Sequence, residues 1–78
     1  MNQIEIIVPD GFNWIAQDYL SDWYFFIDKP KLVGKIWVSG NEFIVAKRTE
    51  ENFTINPNYK TTLYQVKPGE ILYFDSDE

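Results

Sequence analysis

The chain contains no cysteine and no histidine among its 78 residues. Without cysteine, no disulfide can stabilise the fold, and structural zinc sites in their usual cysteine-containing forms are excluded. Without histidine, the commonest transition-metal ligand and the usual base of a nucleophilic triad are missing. We therefore expect a fold held by hydrophobic packing alone, with no metal and no cofactor.

Long apolar runs and a signal peptide are absent as well. No stretch of the sequence approaches the roughly 18 apolar residues that a membrane span needs. Residues 1–11, MNQIEIIVPDG, have neither the basic region nor the continuous apolar region of a signal peptide. These absences predict a cytoplasmic protein without membrane contact.

Positive charge is scarce in this sequence. Seven basic residues stand against twelve acidic ones, and the formal net charge is −5. Affinity for nucleic acid depends largely on lysine and arginine contacts to phosphates, so the composition disfavours direct nucleic-acid binding. The partner that this charge suits better is another protein, itself basic.

Aromatic residues make up 18% of the chain and are concentrated in residues 12–28, FNWIAQDYLSDWYFFID. In the first half of this segment, apolar residues recur at helical spacing: Phe12, Ile15, Ala16, Tyr19, Leu20 and Trp23. The spacing predicts a helix over about residues 11–21, with Asp10 as its N-cap. The bulky run from Trp23 to Asp28 predicts a strand covered on both faces.

Further segments with extended character are predicted as strands: 3–8, 35–39, 42–46, 62–66 and 71–74. KIWVS and EFIVA are separated by Gly40-Asn41, which favours a primed turn and therefore a hairpin. Lys67-Pro68-Gly69-Glu70 has the composition of a type II turn between the last two segments. Charge, asparagine and proline predict a loop over 47–60.

These elements together predict a single α+β domain over residues 1–78. One helix would pack across an antiparallel sheet of about five strands, and the alternative is a small β-barrel with the helix plugging one end. A domain of this size leaves little room for a substrate cleft. Carboxylate pairs such as Asp18 with Asp22 are too common to indicate catalysis, and triad bases are missing, so we expect no enzyme.

The predicted helix carries the first candidate binding site on its outer face. A helical wheel places Trp14 and Asp18 opposite the apolar stripe, and an exposed tryptophan is typical of interface anchors. If the helix and the carboxyl-terminal tail lie on one side of the molecule, their acids form one negative patch: Asp10, Asp18, Asp22, Asp75 and Asp77. A second candidate patch, Trp37 with Ile44, lies on the other face of the predicted hairpin.

The main functional hypothesis is a small, non-enzymatic, acidic protein-binding module. It would inhibit or modulate a basic nucleic-acid-processing host protein by presenting carboxylates in place of phosphates, as proteins of phages and other mobile elements do. The alternative is an accessory subunit, or a homodimer, that docks through Trp37 and Ile44. A third hypothesis, stacking of single-stranded nucleic acid or sugar on exposed rings, is disfavoured for nucleic acid by the net charge.

Overall fold

The computed structural model of the protein describes residues 3–48 and 57–75. The described residues form eight strands: β1 (Gln3–Ile7), β2 (Trp14–Gln17), β3 (Trp23–Phe26), β4 (Lys31–Val33), β5 (Ile36–Val38), β6 (Phe43–Lys47), β7 (Tyr64–Gln65) and β8 (Ile71–Asp75). The helical content of these residues is a single 3₁₀ turn at Tyr59–Thr61. The α+β prediction is therefore wrong, and so is the barrel alternative with its helix.

The strands form three antiparallel sheets. A central four-stranded sheet has the order β6-β3-β2-β7, while β1 pairs with β8 in a two-stranded ribbon and β4 pairs with β5 in a hairpin. One face of the central sheet carries the core cluster: Val8, Ile15, Phe25 and Val66. Ribbon residues Ile6, Leu72 and Phe74 pack against this cluster, so the ribbon covers that face.

The predicted helix over residues 11–21 is replaced by β2 and by the turn that follows it. Ile15 lies opposite Phe25 and is 3% exposed, whereas Ala16 lies opposite Tyr24 on the other face and is fully buried. Because both faces of β2 are covered, apolar residues occur at consecutive positions. Consecutive apolar residues also occur on the buried side of an amphipathic helix, so the local sequence is compatible with both a helix and a strand. Pairing with the aromatic strand β3 selects the strand.

Glycine conformation explains why Asp10 does not cap a helix. Gly11 has φ of 88°, and the Phe12 N–H donates to the Pro9 carbonyl over 3.3 Å, which makes residues 9–12 a type II turn between β1 and β2. Asp10 occupies the second position of that turn and is exposed.

The predicted hairpin of residues 35–46 is also wrong. β5 pairs with β4 around Gly34, whose φ is 65°, and β6 pairs with β3. A type I′ turn needs positive φ at both central residues. Neither Gly40 nor Asn41 has positive φ. Asn41 instead donates its side-chain amide to Asp28 over 3.3 Å, which leaves β6 beside the aromatic strand.

Each of the six segments predicted as strands contains or overlaps a strand of the structure, and the turn predicted at residues 67–70 is present as well. β1 lies within residues 3–8, β3 within residues 23–28, and Gly69 has φ of 86° in a turn closed by the Glu70 N–H and the Lys67 carbonyl, 3.0 Å apart. The strands on either side of that turn do not pair with each other, because β7 joins β2 and β8 joins β1. Most of the predicted loop, residues 49–56, lies outside the described residues.

The backbone of Gln17 links β2 to the segment before β7. The β2–β7 register places Thr62 opposite Gln17, and there the threonine hydroxyl replaces the backbone of a strand. The hydroxyl oxygen accepts from the Gln17 N–H over 2.9 Å. The hydroxyl proton is shared between two carbonyl acceptors, that of Gln17 at 2.9 Å and that of Tyr59 at 2.8 Å. Thr62 is 7% exposed, so water cannot readily replace these bonds.

Residues 18–22 join β2 to β3, and the backbone bond between Asp18 and Asp22 leaves residues 19–21 as the loop. The Ser21 N–H donates to the Asp18 carbonyl over 3.0 Å, and the Asp18 N–H donates to the Asp22 carbonyl over 3.1 Å. Ser21 has φ of 72°, the left-handed conformation that closes a type I turn with a bulge. A non-glycine residue pays a steric penalty there.

Substitutions at Ser21 therefore distinguish this hairpin from a helix. Both Ser21→Gly and Ser21→Ala remove the hydroxyl, and we expect the glycine variant to be more stable by about 1 kcal/mol because only glycine adopts positive φ freely. In a helix the order reverses, with alanine better by about 1 kcal/mol. Urea unfolding of both variants measures the difference, and a more stable alanine variant would contradict the hairpin.

Removing the Thr62 hydroxyl tests the link between β2 and β7. Thr62→Val preserves the side-chain shape but removes the buried hydroxyl that accepts from the partly buried Gln17 N–H, so we expect a loss of about 1–3 kcal/mol in the free energy of unfolding. Thr61→Val is the matched control, because Thr61 is exposed and its hydroxyl donates to the backbone carbonyl of Asn58, 3.0 Å away and three residues earlier in the chain. Equal effects of the two substitutions on the urea midpoint would refute the assignment.

Candidate binding site

A cavity of about 140 Å³ lies between the central sheet and the β4–β5 hairpin. The turn after β2, the strands β3 and β6 of the sheet, and the hairpin strand β5 contribute its described lining: Asp18, Tyr24, Phe26, Ile36, Trp37 and Phe43. Phe26 at the inner side is 1% exposed, whereas Ile36 and Phe43 at the rim are 49% and 57% exposed. The cavity is therefore open to a ligand at one side.

Strand alternation brings the rings of Tyr24, Phe26 and Phe43 together. Tyr24 and Phe26 are two residues apart on β3 and share a face, and Phe43 lies opposite Phe26 on β6. The ring centroid of Phe43 is 5.8 Å from that of Tyr24 and 5.9 Å from that of Phe26. These spacings are those of favourable tilted and edge-to-face aromatic pairs, so the three rings form one preorganised wall.

Trp37 forms the part of the wall contributed by the hairpin. Its indole N–H donates to the Gln17 carbonyl over 3.0 Å, and the side chain is half-buried. A buried indole N–H needs such a partner, and the bond fixes the ring orientation beside the sheet. The same carbonyl accepts from Thr62, so one peptide group positions both Trp37 and the segment before β7.

Asp18 is the acidic group of the cavity lining. It directly follows β2, where one carboxylate oxygen accepts from the amides of Leu20 over 3.0 Å and Asp22 over 3.2 Å. The residue is 8% exposed. Burial raises the pKa of Asp18, the two amide bonds oppose the rise, and the nearby Asp22 carboxylate adds to it.

The phenol of Tyr24 responds to the same surroundings. Burial raises its pKa first, the negative charges of Asp18 and Asp22 raise it further, and Arg48 lowers it. The phenol is thus held neutral beside a carboxylate. The lining is otherwise apolar and aromatic, an arrangement suited to binding a small cationic or apolar group.

Two of the residues predicted from sequence, Asp18 and Trp37, meet at this cavity. Trp14 lies on the same face of the sheet but is half-buried, and the Lys29 ammonium lies 5.4 Å from the centroid of its ring. It is therefore not an exposed anchor on a helix. Ile44 lies opposite Phe25, on the face away from the cavity, so it forms no patch with Trp37.

Of the other predicted acids, Asp22 lies close to Asp18 in the connection after β2, whereas Asp10 and Asp75 belong to other parts of the chain. Asp10 precedes β2 and Asp22 follows its far end, so the length of the strand separates them. Asp75 ends β8 opposite Gln3, at the end of the ribbon remote from Asp10. Asp77 lies outside the described residues. The predicted negative patch required a helix over residues 11–21 beside the carboxyl-terminal tail, and the structure has the strand β2 and a turn in place of that helix.

Sequence reasoning missed four residues of the lining: Tyr24, Phe26, Ile36 and Phe43. The alternation within WYFF places Tyr24 and Phe26 on one face, a signal that was available. No local pattern shows that β6 lies next to β3 and that β5 approaches from the hairpin. Those three elements meet only through pairing between distant segments.

A second, open groove of about 470 Å³ lies between β7 and β8. Its described lining contains Ile15, Trp23, Tyr64, Gln65, Val66, Glu70, Leu72, Tyr73 and Phe74. Its one acidic group, Glu70, is exposed, so it lacks the desolvated charge that distinguishes Asp18. The groove is therefore the weaker candidate for specific recognition.

Comparison with known proteins gave no match, whether to protein-family models, to curated proteins or to solved structures. Within residues 3–48 and 57–75, no helix is long and apolar enough to cross a membrane. The same residues contain no group of three or more acidic side chains placed to hold a metal ion. Function must therefore be inferred from the cavity and its surroundings.

The raised pKa of Asp18 predicts a specific pH dependence of stability. The folded chain holds the Asp18 carboxyl proton more tightly than the unfolded chain does, in which the pKa of an aspartate is 3.8. The resulting stabilisation of the folded state is therefore greatest below pH 3.8 and is lost as pH rises through the raised pKa of the folded state. Asp18→Asn lacks this pH-dependent contribution to stability because an amide does not titrate, yet its side-chain oxygen still accepts from the amides of Leu20 and Asp22.

Urea unfolding of wild type and Asp18→Asn from about pH 3 to about pH 7 measures the effect. The stability of wild type relative to the variant should fall as pH rises. Parallel curves for the two proteins would show that burial does not perturb this carboxyl group.

Proposed function

We propose that this chain is a non-enzymatic protein-binding module for a basic protein partner, and that it docks through the surface around the Asp18 cavity. We call this surface the cavity face and define it by the lining residues together with the neighbouring Val45, which lies opposite Tyr24. The observation that carries the proposal is a buried carboxylate among aromatic rings, surrounded by exposed apolar side chains.

The exposed side chains of the cavity face support a docking role. Phe43 is 57% exposed, Ile36 is 49% exposed and Val45 is 40% exposed, and large apolar groups clustered on a surface mark interaction sites. Phe43 is held in place by its contacts with Tyr24 and Phe26. A rigid exposed aromatic beside a pocket resembles the anchors found at the centre of protein interfaces.

Charge supports the choice of a basic partner. The chain has a formal net charge of −5, which would steer a positively charged protein toward it. Asp18 adds a carboxylate that is already largely shielded from solvent in the free protein, so a cationic group that enters the cavity loses less free energy to desolvation of this carboxylate. Inhibition or modulation of a nucleic-acid-processing protein is one role that such charge would serve.

A second function is favoured by the outer face of the β1–β8 ribbon. Ile7 and Ile71 lie directly opposite each other there and are 62% and 46% exposed, and Tyr73 is 57% exposed. Such a surface suits a permanent contact within a larger assembly or a homodimer. This proposal takes the place of docking through Trp37 and Ile44, which lie on different sheets.

Two charge substitutions separate these functions. Phe43 and Tyr73 are equally exposed, at 57%, so Phe43→Asp and Tyr73→Asp are matched in exposure, in the loss of an aromatic ring and in the charge they introduce. If the cavity face docks the partner, wild type should capture basic proteins from a lysate by cross-linking, and capture should weaken as salt concentration rises. Phe43→Asp should reduce capture of these proteins by about thirtyfold or more, as expected for an anchor residue, and Tyr73→Asp should leave it unchanged.

The reverse pattern, or a wild-type dimer in light scattering that only Tyr73→Asp dissociates, would favour the ribbon and reject the cavity face. Capture of one unchanged set of proteins by wild type and both variants would reject both surfaces.

A further inference from the structure

We propose that the Asp18 cavity binds a methylated ammonium group, supplied by a trimethylated lysine side chain of the partner protein. This inference rests on the proposed docking function and names the group that the cavity face recognises. Four features of the site carry it: volume, aromatic lining, the carboxylate, and the scarcity of hydrogen-bond acceptors.

The volume of the cavity limits the ligand to a small group. An apolar cavity of about 150 Å³ accommodates benzene, which has six heavy atoms. The cavity of about 140 Å³ is of that order, far below the roughly 300 Å³ at which sites for drug-sized ligands begin. A trimethylammonium group with the carbon that carries it has five heavy atoms and is of matching size.

The aromatic lining suits a cation. Four of the six described lining residues have aromatic rings: Tyr24, Phe26, Trp37 and Phe43. The faces of such rings attract cations, and quaternary ammonium groups are recognised in aromatic cages of this composition. Ammonium groups already lie over rings elsewhere in this protein, where Lys29 lies 5.4 Å from the Trp14 centroid and Lys35 lies 5.3 Å from the Tyr19 centroid.

The Asp18 carboxylate supplies charge complementarity. The described lining contains this one carboxylate and no lysine or arginine. A buried negative charge among aromatic rings gains more from a cation than an exposed carboxylate does, because solvent screens it less. A neutral group of the same shape would fill the cavity without this gain.

The shortage of acceptors favours a methylated group over an unmodified lysine. A lysine ammonium has three N–H donors that lose water on entering a cavity. One Asp18 oxygen already accepts two amide protons, and the Gln17 carbonyl beside Trp37 already accepts from Trp37 and Thr62. Among the described lining side chains, the second Asp18 oxygen and the Tyr24 hydroxyl are the other acceptors, and these two oxygen atoms are fewer than the three donors of an ammonium group. A trimethylated ammonium has no donors to satisfy, so it keeps the cationic attraction without this desolvation cost.

Amide NMR of the whole chain tests the proposal without the partner. The reporters are the backbone amides of Leu20 and Asp22, which donate to Asp18. The ligands are three capped amino acids: trimethyllysine, unmodified lysine, and a neutral analogue in which carbon replaces the quaternary nitrogen. Trimethyllysine should shift both reporters saturably, with affinity about tenfold or more above that of the other two at constant ionic strength.

Variants assign the effect to the carboxylate. Asp18→Asn keeps the acceptor for both amides and removes the charge, so trimethyllysine affinity should fall about tenfold or more while affinity for the neutral analogue changes little. Glu5→Gln removes the same charge from an exposed position on β1 and should leave all three affinities within about twofold.

The proposal is overturned if trimethyllysine gives no saturable shift, if the neutral analogue binds equally well, or if Asp18→Asn binds as wild type does. Failure here, with capture still lost in Phe43→Asp, would leave the docking function standing with a different recognised group. Loss of the docking function, with trimethyllysine still bound tightly, would leave a methylammonium site that the captured proteins do not use.

Discussion

Two adjacent phenylalanines on β3 impose the constraint on which this architecture depends. Phe25 and Phe26 point to opposite faces of the central sheet, and each is 1% exposed. One sheet cannot bury both faces by itself, so it needs a cover on either side. The β1–β8 ribbon covers Phe25 through the core cluster, and the β4–β5 hairpin lies over the side of Phe26. Three small sheets are the result.

The two covers are not equivalent, and the difference creates the candidate site. The ribbon packs several apolar side chains onto the sheet, whereas the hairpin is fixed there by the indole of Trp37 on the Gln17 carbonyl. A cavity lies beside Phe26 between this hairpin and the sheet, and the turn after β2 places Asp18 in the lining of that cavity. A hydrogen bond that serves the fold thus also shapes a surface with binding chemistry.

Local pattern predicted some elements correctly and others wrongly for identifiable reasons. Pro68 fixes its own φ and Gly69 permits the positive φ that the turn needs, so the turn could be predicted from these two residues. The alternation within QIEII is that of a strand, so β1 could be predicted in the same local way. The helix prediction failed because β2 is covered on both faces, which imitates a helical stripe. The hairpin prediction failed because β3 competes for β6 and offers more aromatic surface than β5 does.

The sequence alone determined that no disulfide stabilises the fold and that the net charge is negative, because both follow from composition. It also determined several extended segments, because local conformational preference acts within a few residues. It also identified Asp18 and Trp37 as candidates for binding, although for other reasons. Only the tertiary structure decided which strands pair, and therefore that these two residues share a cavity with Tyr24 and Phe43. Strand pairing is settled by the burial of both faces of β3, a property of distant segments together that local periodicity does not contain.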